Sequence, residues 1–210
     1  MRPHKLDILK IPKNLEGMSF LDVGCWEGAS CVEAVRRGAS PVWGVDLCVS
    51  PGLRTNIKES RFGFVQNDVM SEQVLMLPLF DIVLCSGVIY HCEDPLRVIR
   101  RLRSLTKCNG LLFLETIAVN EQMTEDPKMY YYPSGLADDP STNWVPTIKC
   151  AVEMVRAAGF SAEQARYLNA TPHQNMIRLC IKATAIDTIS IEAANPRKPA
   201  YMEIEGGSRG

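Results

Sequence analysis

Three things are scarce in this 210-residue chain: paired cysteines, long apolar runs, and an excess of charge of either sign. The eight cysteines, at positions 25, 31, 48, 85, 92, 108, 150 and 180, include no C-x-x-C pair. They read as free thiols of a reducing cytoplasm, several of them small hydrophobes inside apolar strands, and no metal is expected. No stretch approaches the roughly 18 apolar residues that a membrane helix needs. The N-terminal segment, with Pro3 and Pro12 among Lys5, Asp7, Lys10 and Lys13, lacks the apolar core of a signal peptide. Export and membrane insertion are therefore not expected, and the cytoplasm is the expected location. Lys plus Arg number 23 against 24 Asp plus Glu, a formal net charge of −1, so nothing global draws the chain to nucleic acid or an anionic membrane. Its length suits a single domain over residues 1–187, with 188–210 as a loosely held tail. No internal repeat is present, and the residues assign no oligomeric state.

The most informative segment is Phe20 to Gly28, FLDVGCWEG, an apolar strand that ends in a glycine-bearing turn and opens into a helix. Asp46 follows the next strand, about 20 positions downstream, where a carboxylate can accept hydrogen bonds from ribose hydroxyls. Gly24 and Gly28 are expected to leave bare backbone facing a ligand. The G-x-G-x-x-G spacing that carries a pyrophosphate over a helix N-terminus is missing, and Glu27 would repel phosphate there. The turn thus suits an adenosine-type cofactor without phosphates.

Strand and helix patterns alternate along the chain. Residues 18–24, 42–46, 62–66, 80–85 and 111–117 read as strands, and helices are expected between them, one near 52–60. Asp94 and Pro95 form an N-cap followed by an N1 proline. Behind them Leu96, Ile99, Leu102 and Leu105 repeat at helical spacing, opposite Arg97, Arg100, Arg101 and Arg103, which read as a solvated face. The rhythm breaks over about 118–146, a proline-rich stretch holding Tyr130, Tyr131, Tyr132 and Trp144, and a loop of that length is expected to act as a lid. Thr147 is a candidate N-cap, Gly159 a helix stop, and 165–168 with 176–183 an antiparallel hairpin at the sheet edge. These patterns predict an α/β fold: a doubly wound, mostly parallel seven-stranded sheet, Rossmann-like, closed by an antiparallel C-terminal hairpin.

With these motifs in view the chain resembles the class I S-adenosylmethionine-dependent methyltransferases, in particular the group that includes the bacterial tRNA wobble-uridine carboxymethyltransferase. The resemblance is carried by Ile11-Pro12, Leu15-Glu16-Gly17, LDVGCWEG, Arg37-Gly38-Ala39, FDIVLCSGVIYH from Phe80 to His91, Asp94-Pro95-Leu96, Leu114-Glu115-Thr116 and Trp144-Val145-Pro146-Thr147. It covers about residues 11–183 and implies S-adenosyl-L-methionine as cofactor. It implies the methionine part along Asp22, Gly24 and Cys25, the ribose on Asp46, and the adenine beside Asp68 and Val69, with Gly28 and Leu47 also expected among the cofactor-binding residues. Ser86 and Gly87 would line the reactive end. Ligands of open α/β sheets lie beyond the carboxyl ends of the strands, the positions these residues take in the pattern.

Methyl transfer from a sulfonium needs alignment and a dry pocket more than it needs acid–base chemistry, and a base is required only where the acceptor carries a proton. His91 is the candidate base, with a solvent-facing or capping histidine as the alternative. His4 and His173 lie outside any motif. Tyr90 could offer its ring to a cation or belong to the core. Glu115, Tyr131, Tyr132 and Trp144 are candidate substrate contacts, although Glu115 could instead form a salt bridge and the aromatics could merely pin the loop. Between 118 and 146 the charged residues are Glu121, Glu125, Asp126, Asp138 and Asp139 against Lys128 alone, a local balance of 1 − 5 = −4. Such a lid repels RNA. The same deficit of cations bears on the carboxylated cofactor of the tRNA enzyme, whose extra carboxylate would need a buried cationic partner. A small neutral or cationic metabolite is the expected substrate. An RNA-modifying methyl- or carboxymethyltransferase and a non-catalytic cofactor-binding subunit are the alternatives.

Overall fold

The computed structural model describes residues 4–119, 126–136, 139–170 and 175–187. The expected tail, His173, Glu121, Glu125 and Asp138 lie outside the described residues. Among the described residues nine strands and six α-helices follow in order: α1 Lys5–Ile8, β1 Phe20–Val23, α2 Ala29–Arg36, β2 Val42–Asp46, α3 Pro51–Ser60, β3 Gly63–Gln66, α4 Glu72–Leu75, β4 Phe80–Ser86, α5 Pro95–Leu105, β5 Thr106–Val119, β6 Met129–Tyr131, β7 Trp144–Pro146, α6 Ile148–Ala157, β8 Phe160–Ala170 and β9 Met176–Ala185.

Seven strands form one sheet in the order β3-β2-β1-β4-β5-β9-β8. The first five are parallel, and β9 runs antiparallel between β5 and β8. The C-terminal hairpin is longer than its sequence pattern suggests, and its second strand is the inner one. Ile177, Leu179 and Ile181 of β9 are buried on one face of the sheet. No helix among the described residues is long and apolar enough to cross a membrane.

Side chains alternate between the two faces because a strand has a period of two. Leu21 and Val23 join β4, α5 and α6 in one core, whereas Phe20, Ile82, Leu84 and Phe113 join α1, α2 and α3 in the other. Asp94 caps α5 by accepting from Arg97 N at 3.0 Å, and Thr147 caps α6 by accepting from Cys150 N at 3.3 Å. Gly159, at φ +92°, ends α6 in the left-handed region.

The arginine face of α5 differs from the expected solvated surface. Arg97 and Arg100 are exposed. Arg101 donates to Met70 O at 3.1 Å, and Arg103 donates to Gly159 O at 3.0 Å, to Thr106 O at 3.1 Å and to Ile186 O. Carbonyls left open where elements end attract guanidinium groups, so half of this face works as staples. A third arginine, Arg37, is buried and holds the N-terminal segment. It donates to Asp7 at 2.7 Å, Glu33 at 2.9 Å, Ile11 O at 3.0 Å and Pro12 O at 3.1 Å.

Candidate functional site

The strand order reverses between β1 and β4, and the chain leaves these neighbours in opposite directions, opening a crevice at their carboxyl ends. Gly24 turns there at φ +75°, and its N–H and that of Cys25 donate to Val45 O at 2.8 and 3.2 Å. Asp46, ending β2, reaches back across the turn. Its Oδ2 accepts from Trp26 N at 2.7 Å and its Oδ1 from Cys48 N at 2.9 Å. Each oxygen keeps a lone pair for a further donor. Trp26 itself sits at φ +51° with 64% of its surface exposed, and Leu47 beside Asp46 is 65% exposed, so apolar surface flanks the carboxylate.

The two glycines behave differently from expectation. A Cβ on Gly24 would overlap Val88 Cγ2, and one on Gly28 would lie 2.7 Å from Phe62 Cζ. The space their missing side chains leave is filled by the protein's own packing, so neither offers open backbone through a vacant Cβ position. Gly28, at φ +78°, serves as the N-cap of α2. Cys25 is buried and Cys48 is exposed.

Asp22 lies beneath the turn, 3% exposed. Burial pushes its carboxyl up from 3.8 to about 7, against the opposing pull of Lys5 and a hydrogen bond from Ser30. Asp68, after β3, is exposed and uses Oδ1 to accept from Met70 N at 2.6 Å, an Asx-type turn. Val69 is 7% exposed and belongs to the core.

The rim at the end of β4 is a connected network. Ser86 Oγ donates to Glu115 Oε2 at 2.8 Å. Arg178, on β9, donates from Nη2 to the same carboxylate at 2.6 Å and from Nε to its other oxygen. Its Nη1 donates to Tyr90 OH at 3.0 Å, and its guanidinium carbon stands 5.4 Å from the Tyr90 ring centroid. Glu115 is buried, so the bidentate pair brings two charges out of water together. Burial lowers the guanidinium pKa, but Glu115 and Tyr90 overcome it and raise the value above the ordinary arginine range. Gly87, at φ +77°, packs under this network.

Tyr90 and His91 belong to a 3-10 turn over Ile89–His91, their ring centroids 4.2 Å apart. The expected lid is a two-stranded ribbon, β6 paired with β7, with Tyr131 and Trp144 rings 4.6 Å apart. Asn143 N donates to Tyr90 O at 3.0 Å, which docks the ribbon's loop on the 3-10 turn. Ser141 Oγ then comes to 2.9 Å from His91 Nδ1. Tyr131 is exposed and Tyr132 half-buried, its N–H donating to Asn143 O at 2.8 Å. The tertiary structure thus gathers Asp22, Gly24 and Asp46 at the crevice, and Ser86, Gly87, Tyr90, His91, Glu115 and the aromatic ribbon at its rim.

Sequence reasoning missed Arg178, Asp139 and Ser141. It found no cation near the rim because it weighed only residues 118–146, whereas Arg178 arrives from a strand 63 positions beyond Glu115. The signal was present: Arg178 breaks the apolar alternation of β9 on the face opposite Ile177 and Leu179, and a charge in a sheet interior needs a partner. Among the described residues no cluster of three metal-ligating side chains occurs.

Comparison with known proteins agrees with this architecture. The solved 1,6-didemethyltoxoflavin-N1-methyltransferase of Burkholderia thailandensis superposes with a TM-score of 0.63 at 19% identity, covering 82% of this chain and 72% of that one. An S-adenosylmethionine-dependent methyltransferase from Mesorhizobium loti does so at 0.61 and 18%, covering 85% and 96%. The fold is the Rossmann-like methyltransferase fold. A family model described as a methyltransferase domain matches residues 4–165, and the chain belongs to that family, the class I S-adenosylmethionine-dependent methyltransferases. Similar curated proteins include the tRNA U34 carboxymethyltransferase of Campylobacter hominis, 28% identical over 166 residues, 74% of this chain and 55% of that protein. The ubiquinone biosynthesis O-methyltransferase of Pseudomonas paraeruginosa is 32% identical over 136 residues, 63% of this chain and 56% of that protein. The chain spans about half the length of the curated relatives it matches.

Proposed function

We propose that this chain transfers a methyl group from S-adenosyl-L-methionine to a small, neutral or cationic metabolite. The donor set suits the cofactor: Asp46 has free lone pairs for ribose hydroxyls, Leu47 and Trp26 offer apolar edges, and Glu27 opposes any phosphate. In this reading Asp22, Gly24, Cys25 and Gly28 form or support the wall along the methionine part. Asp68 and Val69 flank the adenine, and Ser86 and Gly87 close the reactive end.

Bound there, the cofactor supplies a methyl group activated by a sulfonium. The chain's own residues do the remaining work. Tyr131, Tyr132 and Trp144 exclude water, the Ser86–Glu115–Arg178–Tyr90 network fixes the rim, and His91 takes a proton from an acceptor that carries one. Alignment is the largest contribution such a site makes, worth roughly 7–11 kcal/mol in favourable intramolecular cases.

The observation that carries the substrate class is the pairing of Arg178 with Glu115. The cation nearest the rim is already neutralised from within, while Asp46, Asp68 and Asp139 leave the surroundings acidic. An anionic acceptor would meet repulsion. Incubating the chain and methyl-labelled S-adenosylmethionine with a fractionated cell extract should place label in a low-molecular-weight product identified by mass spectrometry. Label confined to RNA would overturn the reading.

The similarity to tRNA U34 carboxymethyltransferases favours a second reading, action on RNA. It requires tight tRNA binding that weakens steeply with salt, because phosphate contacts release counterions. Filter binding at two salt concentrations separates the two.

A further inference from the structure

We propose that Asp139 and Ser141, carried by the ribbon loop, are positioning residues that hold His91 with its proton on Nδ1 and its lone pair on Nε2. The inference rests on the reading of His91 as the base, and it narrows the acceptor to one that carries a dissociable proton.

The argument is a count of hydrogens. Ser141 Oγ lies 2.6 Å from Asp139 Oδ1 and 2.9 Å from His91 Nδ1. A hydroxyl has one proton, and the carboxylate, having none to give, takes it. Ser141 can therefore only accept from His91, and the proton between them belongs to Nδ1. A neutral imidazole has a single N–H, so Nε2 is left with its lone pair. Nε2 bonds to none of the described residues.

The carboxylate is itself built in. Asp139 accepts from Ser141 N at 2.9 Å and from Thr142 Oγ1 at 3.1 Å. These bonds, with that of the Ser141 hydroxyl foremost, hold its carboxyl below the usual aspartate value, so it stays charged. Its Oδ2 stands 3.9 Å from His91 Nδ1. The ring is restrained on its other side by Tyr90 at 4.2 Å, and Tyr90 is tied to the sheet through Arg178. The loop's register is set by three bonds: Asn143 N to Tyr90 O at 3.0 Å, Tyr132 N to Asn143 O at 2.8 Å, and Asn143 Nδ2 to Tyr132 O at 3.0 Å. The relay and the base thus come from segments 50 residues apart that the fold locks together.

The proton balance is closed. The acceptor's O–H or N–H proton passes to Nε2, the freed electron pair forms the bond to the methyl carbon, and the pair of the breaking carbon–sulfur bond stays on sulfur. The imidazolium returns its proton to solvent.

The test is long-range proton–nitrogen NMR on the full chain labelled with nitrogen-15 histidine. It is run at about pH 8.5, above the ordinary histidine range, with His91→Gln identifying the resonance. The expected spectrum has Nδ1 protonated and Nε2 bare. Ser141→Ala and Asp139→Asn should move the His91 ring toward the Nε2–H form that free neutral histidine favours, and Ser141→Thr should restore the wild-type pattern. Methyl transfer from labelled cofactor to small molecules of a cell extract should fall in Ser141→Ala, by up to the roughly 10²–10⁴-fold that general-base catalysis contributes, and recover in Ser141→Thr. A wild-type ring protonated on Nε2, or a tautomer indifferent to Ser141, overturns the relay. A His91→Gln variant that transfers methyl groups at the wild-type rate overturns the base reading beneath it, and the NMR result distinguishes the two failures.

Discussion

Asp22 makes stability fall as pH rises, and the effect can be isolated by one isosteric substitution. The carboxyl is 3% exposed and lifted by burial from 3.8 to about 7. Its folded-state value lies above its unfolded one, so its contribution is intact below about pH 4 and is lost as pH rises through about 7. Each pH unit between the two values is worth about 1.4 kcal/mol, giving a total near 4 kcal/mol. Asp22→Asn keeps the shape and the acceptor for Ser30 while removing the charge. The variant should therefore gain on the wild type by about 3 kcal/mol between pH 4.5 and pH 8, which for a chain of this size is about 6–12 °C in Tm. Thermal melts of both proteins at half-unit pH intervals give the difference curve directly. Parallel curves across that window would refute the assignment of a solvent-excluded carboxyl that resists ionisation at the first crossover.

Gly24→Ala forces a side chain into the left-handed region and onto Val88 Cγ2, costing about 1–2 kcal/mol for the backbone and about 1–3 more for overpacking; urea denaturation should show Val88→Ala recovering only the second part. Arg178→Met strands the buried Glu115 carboxylate and should cost about 3–5 kcal/mol in the same assay. Adding Glu115→Gln should return most of that stability without restoring methyl transfer, whereas an additive double variant would deny the coupling. Arg37→Met should lower stability by about 1.5–3 kcal/mol, because Asp7 and the Ile11 and Pro12 carbonyls lose their donor while Glu33 keeps its paired bonds to Arg36, and should speed proteolysis within residues 4–17.

Local patterns carried much of this molecule. The βαβ unit from Phe20 to Asp46 was legible because a buried parallel strand, a turn glycine and an amphipathic helix each leave a mark within a few residues. Asp94-Pro95 and Thr147 announced their helices for the same reason, since a cap bonds to an amide only three positions away. The limits of that legibility are equally physical. Arg101 and Arg103 looked like a solvent face because helical spacing shows which residues share a side, not that open carbonyls at Met70, Gly159, Thr106 and Ile186 wait above it. Gly24 and Gly28 carried the right mark for a turn, but what fills the missing Cβ came from Val88 and Phe62.

By itself the chain's order of residues determined the kind of fold and the cofactor-type turn with Asp46 beside it, because periodicity, caps and glycine spacing are short-range chemistry. Only the tertiary structure decided the working rim. Glu115 meets Arg178 across 63 positions and His91 meets Ser141 across 50, after β9 has slid between β5 and β8 and the ribbon has docked on the Tyr90 turn. Such pairings depend on how whole elements pack, and no spacing along the chain encodes them.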